Sequence, residues 1–252
     1  MKFFAYACFF ALLPGCAATE DAKAQVGKEA DRSRSAPDII NFAPTQTASP
    51  SVVDFVKANY GERNSKGQFI SDNGIATICA YRVSSADHKS YFAICSTDPQ
   101  AGIQIDLYIT DESADDIVAS ETGISSHIND VSILEIGAHN LGFSVLDTTI
   151  NQATKIGKTS LYTARGEKIR IAASFVSLLD NTSTAECKND PKSCINLRRK
   201  LVGATNPAQK NSPLIIVSGK NSAAIEENKK YILPFDEAKK IYVVPSELKR
   251  SL

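Results

Sequence analysis

A period of two constrains this chain more than any other feature. Ile103, Ile105, Leu107 and Ile109 alternate with Gln104, Asp106, Tyr108 and Thr110. Successive side chains of an extended strand point to opposite faces, so this order puts four aliphatic groups on one side of a sheet and the polar groups on the other. Similar or partly two-sided runs occur at 75–83, 91–96, 131–138, 143–150, 160–164, 168–176, 194–202, 214–217, 230–233 and 239–244. About ten strands joined mostly by short turns predict a mainly β fold, an antiparallel sandwich or barrel with one or two short helices. Arg165-Gly166 and residues 140–142 are the expected hairpin turns.

Two segments leave the period of two. Ser49-Pro50 has the form of an N-cap followed by a first helical residue, with Val52, Val53, Val56 and Tyr60 at helical spacing and Gly61 at the stop position. Residues 113–122 open with a capping-box pattern, Ser113 and Asp116, and read as a surface helix anchored by Ile117 and Val118. Helical segments do not alternate with strands, which argues against an α/β fold. With 43% hydrophobic residues in 252, the chain has the material for a substantial core. No apolar run approaches the roughly 20 residues of a membrane helix, so a polytopic membrane protein is excluded.

The N-terminus carries an address. Lys2 precedes an apolar run from Phe3 to Leu13, the length of a signal-peptide core. The run ends in Leu13-Pro14-Gly15-Cys16, which resembles the bacterial lipobox, although Pro14 departs from the usual small or β-branched residue. The resemblance implies a signal peptide over 1–15, lipidation of Cys16, and membrane attachment through that N-terminal lipid. Ala17, in place of Asp, implies the outer membrane rather than the inner, with the domain facing the periplasm. Small residues at Gly15 and Ala17 also suit ordinary cleavage with loss of the anchor. Ala17 to Ala36 holds four acidic and four basic residues and no aromatic, too little apolar surface to order itself, so 16–36 reads as a lipidated N-terminus and flexible tether. Such a segment has a reach of roughly 25 Å. Residues 37–252 then form a single β-rich periplasmic domain, with 206–212 the best alternative boundary.

Cysteine usage agrees with export. Beyond Cys8 and Cys16 there remain Cys79, Cys95, Cys187 and Cys194, an even number for an oxidising compartment. Cys79 and Cys95 flank Asp87 symmetrically, so a hairpin turning there pairs them; Cys187 and Cys194 bracket a turn-rich loop. Their spacings lack the short knuckles of a zinc site, and no metal is expected.

Charge is polarised: residues 186–252 hold 13 Lys plus Arg against 7 Asp plus Glu, the reverse of the preceding part. Solvated strand faces and edges account for most such residues, and a partner of opposite charge is the alternative. Nucleic acid is not expected, because no recognised module interleaves these cations with aromatics. The chain has no G-x-S-x-G elbow, Walker loop, H-E-x-x-H or G-x-G-x-x-G. His88, His127 and His139 read as loop or edge residues, and Asp111, Glu112, Asp115 and Asp116 as a charged first helical turn rather than a calcium loop. No catalytic set and no cofactor are assigned.

These features favour a non-enzymatic binding module that captures or blocks an envelope protein or a cell-wall component. The format resembles bacterial lipoprotein inhibitors of lysozyme-like enzymes and immunity lipoproteins, in which a loop of a β domain plugs a carboxylate-bearing cleft. Some of those inhibitors carry a Ser-Gly-x-x-Tyr loop; Ser218-Gly219-Lys220-Asn221 begins that way, but Ser222 stands in place of Tyr. Lys188 and Lys192 in the pinned loop, with Lys220, are the candidate binding residues. A periplasmic hydrolase with a site built from distant loops, and an envelope-assembly accessory lipoprotein, are the alternatives.

Overall fold

The computed structural model describes residues 47–71, 74–98, 102–125, 127–206, 208–218 and 229–249. The segments read above as signal peptide and tether, with Cys16, and the candidate residue Lys220 lie outside them. Helix α1 (Pro50–Tyr60) forms where expected: Ser49 accepts the Val52 amide on its side chain, Pro50 sits at the first position, and Gly61 ends the helix. Gly61 has φ 102°, and a Cβ there would stand 2.1 Å from the Ile70 carbonyl oxygen, so only glycine lets the chain turn here.

Two meanders follow. The first comprises β1 (Glu62–Arg63), β2 (Phe69–Ser71), β3 (Gly74–Ser84), β4 (Lys89–Asp98), β5 (Gly102–Asp111) and β6 (Ile117–Ser125). The second comprises β7 (Ile128–Gly137), β8 (Asn140–Asn151), β9 (Thr154–Arg165), β10 (Lys168–Asp180), β11 (Asn196–Ala204), β12 (Leu214–Ser218) and β13 (Lys230–Leu233). Within each, sequential strands pair antiparallel. The meanders meet at one parallel pair, Lys168 with Ser120, so the 13-stranded sheet is mixed rather than wholly antiparallel. A small hairpin of β14 (Phe235–Asp236) and β15 (Ile241–Tyr242) stands apart, and no strand closes the sheet into a barrel among the described residues. The architecture is sandwich-like and mainly β. The fifteen strands among the described residues exceed the expected ten because two- and three-residue strands such as β1, β2 and β14 are too short to show a period and because β6 lies where a helix is expected.

The packing explains the patterns. Ile105, Leu107 and Ile109 face Phe143, Val145 and Tyr162 across the two meanders, with Cys79, Ala93 and Cys95 in the same cluster. The other face of β5 is not left to water: α1 covers it, and Val52 and Val56 pack on Phe92, Ile94 and Tyr108. Tyr60 fixes the helix by donating to Asp106 at 2.5 Å, while its oxygen lies 2.8 Å from the Tyr108 hydroxyl. A third cluster joins Leu161 and Phe175 to Leu214, Ile216, Leu233 and Tyr242, on the far side of β9 and β10.

One element differs from expectation in kind. Residues 113–122 are not a helix; they are a turn leading into β6. The Asp111 carboxylate accepts from the Ser113 hydroxyl and, at 3.1 Å, from the Asp116 amide, and Ala114 sits at φ 61°. The Ser–Asp pattern that suggested a capping box therefore serves a carboxylate-centred turn, and the second helix is α2 (Ala185–Asn189), capped by Thr184.

Candidate functional site

Both local disulfides form. Cys79 and Cys95 are joined with Cα atoms 5.7 Å apart, and Cys187 and Cys194 with Cα atoms 4.6 Å apart. Cys79 occupies a bulge in β3, between residues that pair with Ile94 and Ala93, and this register shift brings it to Cys95. The second bridge closes the α2 loop and a 3-10 turn, Pro191–Ser193, that carry Lys188 and Lys192. Both lysines are exposed. They stand at the C-terminal end of β10, whose 13 residues span roughly 40 Å at about 3.3 Å per residue.

The concavity lies at the other end of that strand. There the turns β3–β4, β7–β8 and β9–β10, the β11–β12 loop and the β14–β15 turn converge on a cleft of about 740 Å³. The β7–β8 turn is Ala138-His139, with His139 at φ 55°, and the β9–β10 turn is Gly166-Glu167, each displaced by one or two residues from the expected position. The β11–β12 loop is no domain boundary: it crosses the β7–β8 turn in close contact. The Ala138 amide donates to the Gln209 carbonyl at 2.7 Å, and the Ser212 amide to the Ile136 carbonyl at 3.1 Å. A Cβ on Gly137 would meet the Lys210 carbonyl oxygen at 2.1 Å, so this crossing needs a residue without a side chain.

A chain of hydrogen bonds ties three of the loops together. Asn140 Nδ2 donates to the Lys210 carbonyl at 3.2 Å and to Asn211 Oδ1 at 3.1 Å. Asn211 in turn donates to Glu237 at 3.1 Å, and Lys240 donates to the other oxygen of the same carboxylate at 2.8 Å. Hydrogen bonds from Lys240 and then Asn211 hold the Glu237 carboxyl below its ordinary range.

Four cations line the cleft: Lys89, Arg165, Lys210 and Lys240. Lys89 is matched by Asp87 at 2.8 Å, and Lys240 by Glu237. Burial pushes the Asp87 carboxyl up, but hydrogen bonds from Lys89 and Ser84 outweigh it and hold the group low. Beside them, burial and the Asp87 charge push the Tyr91 hydroxyl up to about 12. Lys210 also faces the Glu237 charge, so the four cations outnumber the two carboxylates by two, and Arg165 and Lys210 are the cations without an ion pair of their own. Arg165 Nη2 donates to the Ile171 carbonyl at 3.0 Å, while its Nε is buried with no acceptor. A buried donor left unpaired costs about 1–3 kcal/mol.

The three histidines do not assemble. His139 lines the cleft, His88 Nδ1 sits 3.2 Å from Glu112 on the β3–β4 turn, and the His127 amide is held by Asp147 beside the start of β7. No group of three or more His, Cys, Asp or Glu among the described residues is placed to hold a metal ion. The cleft itself was not legible beforehand, because its cations come from positions 89 to 240 with no common motif. Only the excess of Lys and Arg after residue 186, to which Lys210 and Lys240 belong, pointed in its direction. No family model, curated protein or solved structure matches the chain.

Proposed function

We propose that this is an exported, lipid-anchored envelope protein of bacterial type whose periplasmic domain is a non-enzymatic binding module. Its cationic cleft captures an anionic envelope component. The observation that carries the binding reading is the surplus of Arg165 and Lys210 over the matched pairs in a concavity framed by five connections. Binding residues gather on loops held by a rigid scaffold, and a cleft with low-dielectric walls focuses the field of its charges. The address rests on the lipobox-like Leu13 to Cys16, and the two disulfides accord with an oxidising compartment. The cations line a hollow, not a projecting loop, which favours receiving an anionic ligand over plugging the cleft of another protein.

The full chain carrying Cys16→Ser, immobilised and exposed to envelope extract and to isolated cell wall, tests this. Retention of one component, lost when Arg165 and Lys210 are both changed to Gln, is the expected result. Equal retention by the double variant overturns the cleft, and turnover of the retained component overturns the non-enzymatic reading.

A further inference from the structure

We infer that the cleft takes an anionic sugar, an oligosaccharide bearing a carboxylate or a phosphate. This rests on the binding reading above and names its ligand.

Four observations converge. The volume of about 740 Å³ lies within the range of small-molecule sites and far exceeds that of a bare ion. The surplus charge is two cations, Arg165 and Lys210, which suits a ligand with one or two anionic groups rather than a polyanion. Around them stand the Thr163 hydroxyl, the His139 imidazole and the side-chain carbonyl of Asn140, whose amide protons are spent on Lys210 and Asn211, together with the part-exposed ring of Phe235. Lastly, among the described residues none of the large exposed apolar side chains, such as Ile117, Ile150, Val202 and Ile232, lines the cleft.

That last point separates a sugar from a protein partner. The centre of a protein interface is rich in exposed aromatic and apolar side chains that lose water together, whereas the aromatics lining this cleft are the part-exposed Phe235 and Tyr91, which is already buried. An anionic membrane surface fits less well. Asp111 pairs with Lys89 in register, so the β5–β6 turn with Asp111, Glu112, Asp115 and Asp116 sits at this same end of the sheet. A flat anionic surface approaching that end would meet four carboxylates, whereas a discrete ligand enters the hollow without touching them.

Calorimetric titration of the full chain carrying Cys16→Ser separates the cases. The probes are the disaccharide of N-acetylglucosamine and N-acetylmuramic acid, neutral di-N-acetylchitobiose, N-acetylglucosamine 6-phosphate, and inorganic phosphate. The first two differ by a lactyl carboxylate, so binding of the acidic disaccharide at least tenfold tighter, weakening with added salt, is expected if the source is a carboxylated wall glycan. A tenfold preference for the sugar phosphate over both disaccharides and inorganic phosphate supports the same inference with a phosphorylated source. In either case Arg165→Gln and Lys210→Gln each reduce affinity about tenfold, with thermal melts showing that the variants fold. Equal binding of the neutral disaccharide, binding of inorganic phosphate as tight as the sugars, or indifference to both substitutions overturns the inference. Should no sugar bind while a protein from the envelope extract is retained through Arg165 and Lys210, the ligand assignment falls and the binding module stands; if the double variant retains as well as the parent, both fall.

Discussion

Tyr60 shows how much a single side chain does here. Its hydroxyl donates to Asp106 and meets Tyr108, while the Gly123 amide, at 2.6 Å, takes the second Asp106 oxygen. Tyr60→Phe removes a donor to a part-buried carboxylate and loosens α1 on the sheet, so we expect a loss of about 1–2 kcal/mol by urea denaturation. The same contacts set a pH dependence. Burial first, then hydrogen bonding to Asp106 and Tyr108, pushes the Tyr60 hydroxyl far up, and burial raises Tyr91, Tyr108, Tyr162 and Tyr242 as well. A raised folded pKa gives stability that is whole below the unfolded value of about 10 and is lost as pH rises beyond it. Melting temperatures should therefore fall steadily above about pH 10, with a smaller fall in Tyr60→Phe; a flat profile to pH 12 would count against these buried hydroxyls.

At the scale of elements, the clearest strand in the sequence was also the most informative. β5 alternates cleanly because its aliphatic face meets the second meander, yet its polar face is covered by α1 through Tyr60, Asp106 and Tyr108. Polar residues there signalled partners, not solvent, and alternation alone does not distinguish the two. β6 was misread for a related reason. Its register on β5 breaks twice, Ile117 is 51% exposed while Ala119 is buried, and no regular period survives. The hairpin pairing of cysteines was readable because it is local, although the bulge that completes it was not. Removing the Cys79–Cys95 bridge should cost about 2–4 kcal/mol, the usual range for such loops, and should broaden melting of the sheet on which α1 rests. Removing Cys187–Cys194 should leave ligand binding intact, because that loop and the cleft lie at opposite ends of β10. At the cleft, Gly137→Ala forces the Lys210 backbone away from the β7–β8 turn. We expect about 1–3 kcal/mol of destabilisation, as for other forced overpacking, and weaker ligand binding even though no ligand-contacting side chain has changed.

For the whole molecule, the described cations in the last part of the sequence do not gather in one place. Lys239 and Arg198 pair with Asp236 and Asp180, and Lys188 and Lys192 stand on the disulfide-closed loop, whereas Lys210 joins Arg165 in the cleft. Composition registered the excess but not its division, because only folding brings positions 89, 165, 210 and 240 to one end of the sheet. On the proposed reading, in which Cys16 carries a lipid and the cleft takes the ligand, attachment and capture are separable properties of one chain. Cys16→Ser should therefore move the protein from the membrane to the soluble fraction while leaving its affinity for the ligand unchanged. Arg165→Glu with Lys210→Glu should do the reverse, remaining with the membrane while losing capture, since reversing both surplus charges turns attraction of an anion into repulsion. Measured together by fractionation and by titration, the crossed pair distinguishes a tethered receptor from a protein held in place by its ligand. If the cleft variant also leaves the membrane, the ligand contributes to anchoring; if Cys16→Ser stays, the lipid does not.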